Sequence, residues 1–282
     1  MSPMKAIKVF KDLLSFLTII PMGGKEDFIF TTAENIWLFP IVGGFIGLLG
    51  GAYYLLSSFI VGFTLNFLAG YVAFPTALLT TAIPPAMTIA FLLVLTGLQH
   101  FDGLIDLGNA VGIRNVHDRN MKAHAWTVTY AGAVLAMAIE FLAFLGLFLL
   151  YPADPLMIFG AIILAELAAK LAMVTIVWAG KPSHKGLGSI FLAKAKKPLN
   201  VVAYALSALI AFVVFFLVGG IFWALAATGL LFVSVPVAFL MNRVANGVFG
   251  GVSGDMIGAT NETARATTLV MLALVLWLVV VA

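Results

Sequence analysis

The chain has no cysteine, and Asp, Glu, Lys and Arg together make up only 10% of its 282 residues. The first absence excludes disulfides, thiolate metal sites and cysteine nucleophiles. The second excludes an ordinary soluble domain, in which roughly a quarter of residues are charged. The net charge of +3 belongs to the connections between apolar runs and gives no case for nucleic-acid binding. The first apolar stretch is short, lacks a small-residue cleavage site and runs into charged sequence, so no cleaved signal peptide is expected.

What remains is apolar: 63% of residues are hydrophobic and mean hydropathy is +1.14. In lipid every backbone polar group needs a partner within the protein, which leaves helices and closed barrels. The long apolar runs predict an all-α polytopic membrane helical bundle, a single integral-membrane domain over 1–282. Residues 1–30 place Lys5, Lys8, Lys11 and Asp12 among Ile7, Phe10, Leu13, Leu14 and Leu17, an apolar stripe with basic flanks that suits an interfacial helix. A polar link follows at Lys25, Glu26 and Asp27.

About seven spans are expected, near 36–63, 85–98, 130–150, 156–178, 201–219, 221–241 and 266–282. Gly43, Gly44, Gly47, Gly50 and Gly51 give the first a smooth packing face, and Gly219 and Gly220 supply the turn between the fifth and sixth. Residues 64–83 carry no charge, but Pro75 and Pro84 argue against one long helix, so the stretch reads as a short turn and a partly inserted segment. Every Lys and Arg except Lys170 lies in the amino-terminal segment or in the polar loops 100–129, 179–200 and 242–265. With the amino terminus inside, seven spans put all of these on the cytoplasmic side of the cell membrane and the carboxyl terminus outside. Lys170 follows Glu166 by one helical turn and is expected to pair with it, with Glu140 as a further candidate partner.

The chemistry concentrates in Thr96–Gly112, TGLQHFDGLIDLGNAVG. If the run stays helical past His100, Asp102, Asp106 and Asn109 share a face. Two carboxylates and an amide oxygen are hard ligands of the kind Mg2+ takes, with water and phosphate oxygens completing the octahedron. A second constellation, Asn242–Arg265, carries Asp255 and Glu262 two helical turns apart among glycines, on the same side of the membrane. The expected metal ligands are therefore Asp102, Asp106, Asn109, Asp255 and Glu262, with Asp102, Asp106 and Asp255 catalytic. A third, AGKPSHKGLGSIF at Ala179–Phe191, offers basic side chains and glycine amides without Walker spacing. It is also read as an orientation signal or a contact to anionic membrane lipid. His100, Arg114, Arg119, Lys122, His124, Lys181, Lys185 and Arg243 are the candidate contacts to substrate phosphates. Aspartates for a hard cation beside basic loops imply phosphoryl-group chemistry at the inner membrane face.

The run LTGLQHFDGLID resembles the aspartate-rich signature of the cobalamin (5′-phosphate) synthase family, the adenosylcobinamide-GDP ribazoletransferases. FLTIIPM near the start, FPIVGGFIG at 39–47, GKPSHKGLGSIF at 180–191 and GGVSGDMIGATNE at 250–262 are also similar to family motifs, in the same order across almost the whole chain. The resemblance implies a Mg2+-dependent membrane transferase that joins adenosylcobinamide-GDP to α-ribazole or its 5′-phosphate with loss of GMP. Asp102 and Asp106 match the first two aspartates of the family's DGLADTADG run. Asn109 stands where a third is common, and Ala110 replaces a glycine. The family's MKDSRIG is replaced by Met121, Lys122, Ala123, His124, Ala125 and Trp126.

Two other classes are weighed against this. A CDP-alcohol phosphotransferase needs DGxxAR, whereas Asp106 and Leu107 stand where Ala-Arg should be. A secondary transporter calls for an internal repeat and midplane acids, but no repeat is found and the acids cluster at span ends. A homo-oligomer stays open.

Overall fold

The computed structural model describes residues 3–22, 28–73, 75–123, 125 and 127–281; the expected polar link at Lys25–Asp27, and His124, lie outside these. Among the described residues the chain is built from α-helices, with no strand beyond an isolated bridge between Pro182 and Val252. In chain order they are α1 (Pro3–Leu17), α2 (Phe28–Glu34), α3 (Phe39–Ala69), α4 (Thr76–Leu95), α5 (Gln99–Asn109) and α6 (Val116–Ala123), then α7 (Tyr130–Phe148), α8 (Pro155–Ala179), α9 (Leu187–Lys194), α10 (Val201–Leu231), α11 (Ser234–Phe249) and α12 (Gly254–Val281).

The bundle is arranged around α8, which packs against α3, α10, α11 and α12 and is buried almost from end to end. Hydropathy does not single it out, because α10 is just as apolar yet buries only one narrow stripe, Ala203, Ser207, Ala211 and Phe215 in its first half. The difference lies in small residues. Gly160, Ala161, Ala165, Ala168, Ala169 and Ala172 let backbones approach α8 from several sides. Gly43 and Gly47 of α3 lie directly on it, and a Cβ at Gly47 would stand 2.6 Å from the Ile163 Cα.

Six stretches among the described residues are long and apolar enough to cross a membrane, one of them running from Pro198 to Phe249. That stretch is two crossings. Tyr204 meets Thr175 through their hydroxyls at 2.7 Å, and Gly219 lies beside Met157 at the other end of α8. Asn242 is then back beside Gly180. The reversal falls at Gly220, whose φ of 76° is favoured by glycine, where the sequence pattern puts it.

Three boundaries differ from expectation. First, α3 continues to Ala69 and α4 begins at Thr76, so Pro84 and Pro85 lie inside a helix and not at its start. The two prolines remove the N–H partners of the Thr80 and Thr81 carbonyls, while the hydroxyls of Thr80, Thr81 and Thr88 bond back to the carbonyls of Thr76, Ala77 and Pro84 within the same helix. Second, the helix that leads into the aspartates does break, at Gly97 and Leu98, both with positive φ. Third, the expected loop 242–265 is almost entirely helical, because α11 runs to Phe249 and α12 starts at Gly254. Its acids and Arg265 therefore enter the bundle.

Candidate active site

Three segments far apart in sequence meet at one end of the bundle. The bridge between Pro182 and Val252 ties the loop before α9 to the start of α12, with Val252 N–H donating to the Lys181 carbonyl at 2.7 Å and Ser183 N–H to that of Val252 at 3.2 Å. Helix α5 crosses α12 at the same place. Gly103 faces the Asp255 backbone, and a Cβ at Gly258 would stand 3.0 Å from the His100 Cα. The glycines that flank the aspartates thus act as contact points between α5 and α12. Asp102 and Asp255 each fall in the first turn of their helix, where the dipole favours negative charge. Ser253 accepts from Met256 N–H at 3.2 Å and donates to the Asp255 carboxylate at 3.2 Å, holding that carboxylate at the mouth of α12.

Two cavities open here. One, of about 320 Å3, is lined by Asp102, Asp255, Gln99, His100 and His184, with an apolar wall of Phe16, Phe39 and Phe191. The other, of about 340 Å3, is lined by Asp102, Asp106 and Asp255 together with Thr127 and Val128. Asp102 and Asp255 belong to both, so they stand where the two cavities join. Phe16 stacks on Phe191 with centroids 4.9 Å apart, and Phe39 lies 6.3 Å from Phe191. The three rings come from α1, α3 and α9, which carry the pieces FLTIIPM, FPIVGGFIG and GKPSHKGLGSIF. Sequence reasoning missed them, although each of those pieces carries one of the rings. It missed His184 and Gln99 too. His184 Nδ1 lies 2.9 Å from the Ser183 hydroxyl at the rim.

Other expected site residues do different work. Asn109 is buried and both ends of its amide are engaged: Nδ2 donates to the Thr127 carbonyl at 2.8 Å, while Oδ1 accepts from Thr129 N–H at 2.9 Å and from its hydroxyl at 2.7 Å. It ties α5 to the entry of α7 instead of facing the cavities, because a neutral amide both donates and accepts. Glu262 is likewise turned away, into a buried ionic network. Arg265 Nε reaches Glu166 at 2.6 Å while its NH1 meets Glu262. Lys170 Nζ lies 3.3 Å from Glu166 and 2.7 Å from Asn261 Oδ1, and Asn261 donates to Glu262 at 3.0 Å. The expected pairing of Glu166 with Lys170 is present. Glu140 is not its partner; among the described residues neither of its carboxylate oxygens has a hydrogen bond.

His100 spans the two regions, lining the first cavity with Nδ1 3.6 Å from Glu262 Oε1, too long for a hydrogen bond. Burial pushes its imidazole below the ordinary histidine value, with Glu262 opposing. Among the basic candidates, Arg119 caps α11: its guanidinium donates to the carbonyls of Ile113 at 2.5 Å, Gly247 at 2.9 Å and Val248 at 3.2 Å. Arg114, Lys122, Lys181, Lys185 and Arg243 are exposed around this end of the bundle and line neither cavity. His124 lies outside the described residues.

An all-α membrane bundle that gathers three carboxylates and an aromatic wall around a cleft at one end is built as a membrane-embedded enzyme. The family model described as cobalamin-5-phosphate synthase matches residues 9–63 and 58–273. The chain belongs to that family, and so to the transferases of cobalamin biosynthesis. The adenosylcobinamide-GDP ribazoletransferase of Methanocella arvoryzae is 32% identical over 200 residues, 68% of this chain and 74% of that protein. The proteins of the same name from Thermococcus kodakarensis and Methanosarcina mazei are 32% and 29% identical, over 95% of this chain and 99% and 92% of their own. No solved structure matches the chain.

Proposed function

We propose that the chain joins adenosylcobinamide-GDP to α-ribazole or its 5′-phosphate, releasing GMP, at the cytoplasmic face of the cell membrane. A ribose hydroxyl oxygen of the acceptor bonds to the phosphorus on the cobinamide side of the diphosphate. The bond from that phosphorus to the bridging oxygen breaks, GMP leaves with the electron pair, and the hydroxyl proton is lost. The observation that carries this reading is that Asp102 and Asp255 line both cavities, as a reaction between two substrates approaching from two sides requires. The apolar wall of Phe16, Phe39 and Phe191 excludes water and offers flat faces to a planar base. The exposed Lys181, Lys185 and Arg243 surround the same end and attract the anionic diphosphate.

The donors suit Mg2+. Asp102, Asp106 and Asp255 are hard oxygen ligands around one cavity. Mg2+ takes one or two carboxylates and keeps water and phosphate oxygens for the rest; among the described residues no group of three or more His, Asp or Glu side chains is disposed to hold an ion. When bound there, the cation supplies neutralisation of the charge that builds on the leaving phosphate. The cytoplasmic orientation is supported by the distribution of Lys and Arg. The test is purified protein with both substrates: GMP release that needs Mg2+ and is abolished in Asp102→Asn supports the reading. Uptake of adenosylcobinamide-GDP into vesicles without GMP release refutes it.

A further inference from the structure

A third cavity, of about 430 Å3, lies apart from the aspartates, between α1, α2 and the turn that leads into α10. Lys5 and Lys8 of α1 line it from one side and Lys197 from the other, with Asn35 and Trp37 between. Its one carboxylate, Glu34, is already matched: Lys194 Nζ lies 3.3 Å from it, and Lys197 Nζ donates to the Glu34 carbonyl at 3.2 Å. Three ammonium groups, two from the amino-terminal helix and one from about two-thirds of the chain further on, therefore converge on one space with no net counter-charge. The surroundings are interfacial. On α1, Met4 and Ile7 are 82% and 57% exposed beside the two lysines, and Val201 is exposed just past Lys197. Apolar side chains bared next to lysines and a half-buried Trp are the marks of a surface seated at headgroup level.

We infer that this groove binds the phosphate of an anionic phospholipid headgroup, its acyl chains lying over Met4 and Ile7. Each lysine donates to a phosphate oxygen, and the headgroup bridges α1 to the turn before α10. The same elements build the catalytic cavity. Phe16, on the last turn of α1, stacks on Phe191 of α9, and α9 ends at Lys194, the partner of Glu34. A headgroup seated between Lys5, Lys8 and Lys197 thus holds α1 down on the aromatic wall. The binding stands whatever reaction the aspartates perform; the second readout below rests on the proposed transfer.

The test uses the full chain in nanodiscs of phosphatidylcholine, titrated with phosphatidylglycerol, and retained lipid counted by native mass spectrometry. With about 1 kcal/mol per lysine near an anionic surface, Lys8→Gln with Lys197→Gln is expected to weaken phosphatidylglycerol retention roughly 30-fold, while Lys122→Gln, outside the groove, leaves it unchanged. Inorganic phosphate at millimolar concentration is expected not to displace the lipid, because it has no acyl chains to bury. GMP release is expected to rise with phosphatidylglycerol in the native chain and not in the double variant. Equal retention by the double variant and the native chain, each with an unchanged melting temperature, overturns the site. Displacement by inorganic phosphate overturns the lipid as its occupant. Retention lost in the double variant while GMP release responds to lipid as before keeps the site and overturns its coupling to α1.

Discussion

Gly103 lies against the backbone of Asp255, so close that any side chain at 103 would overlap the Asp255 carbonyl. The crossing of α5 over α12 depends on that contact, and with it the spacing of Asp102 from Asp255. Gly103→Ala is expected to push the helices apart, with an overpacking cost of about 1–3 kcal/mol and a loss of GMP release on the order of a hundredfold, since small misplacements of reacting groups are costly. Melting temperature and turnover measured together separate the two effects. Full activity in Gly103→Ala would mean that the crossing does not set the site.

Asp102 and Asp255 are expected to act as one unit. If both organise the same reacting phosphates, either Asp→Ala change removes the productive geometry and the second has little left to remove. Each single variant should lose most GMP release, and the double variant should be scarcely worse. Losses that multiply in the double variant would separate the two carboxylates.

For Asn109, its hydrogen bonds decide the outcome. Asn109→Asp loses the donor to the Thr127 carbonyl and sets a carboxylate against it, so a destabilisation of about 1–3 kcal/mol is expected. The Mg2+ concentration for half-maximal rate should not change, because the amide faces α7 and not the cavities. A lower Mg2+ requirement with unchanged melting would return Asn109 to the metal.

The ionic network under the site should behave as buried charge does. Arg265→Met leaves Glu166 and Glu262 without their guanidinium and is expected to cost about 3–5 kcal/mol. Adding Glu262→Gln to it should recover part of the loss, because Glu166 keeps Lys170 as a partner and the charge stranded at Glu262 is then gone. Thermal unfolding in detergent measures both. A double variant less stable than Arg265→Met would contradict pairing as the role of these residues.

Sidedness can be read directly, since the chain has no cysteine of its own. With Asn115→Cys and Ser183→Cys, an impermeant thiol reagent is expected to label inverted vesicles and not intact cells. Labelling of intact cells at either position would reverse the orientation.

Much of this protein was legible in its sequence, because the properties concerned are local. Apolar run length and the placement of lysines and arginines prescribe membrane helices. Gly219-Gly220 marks the reversal, since few other residues take positive φ, and four-residue spacing puts Asp102 and Asp106 on one face of a helix. The motif pieces named the family before any coordinates. What only the tertiary structure decided are matters of partnership. Glu262 and Arg265 read as residues of a connection until their counter-charges on another helix are known. They sit inside α12 because Glu166 and Lys170 from α8 meet them there. Asn109 reads as a ligand until Thr127 and Thr129 are seen to engage both ends of its amide. Phe16, Phe39 and Phe191 cannot be told from the other phenylalanines by spacing, because a ring lines a cavity only where folding brings a second ring from elsewhere in the chain beside it.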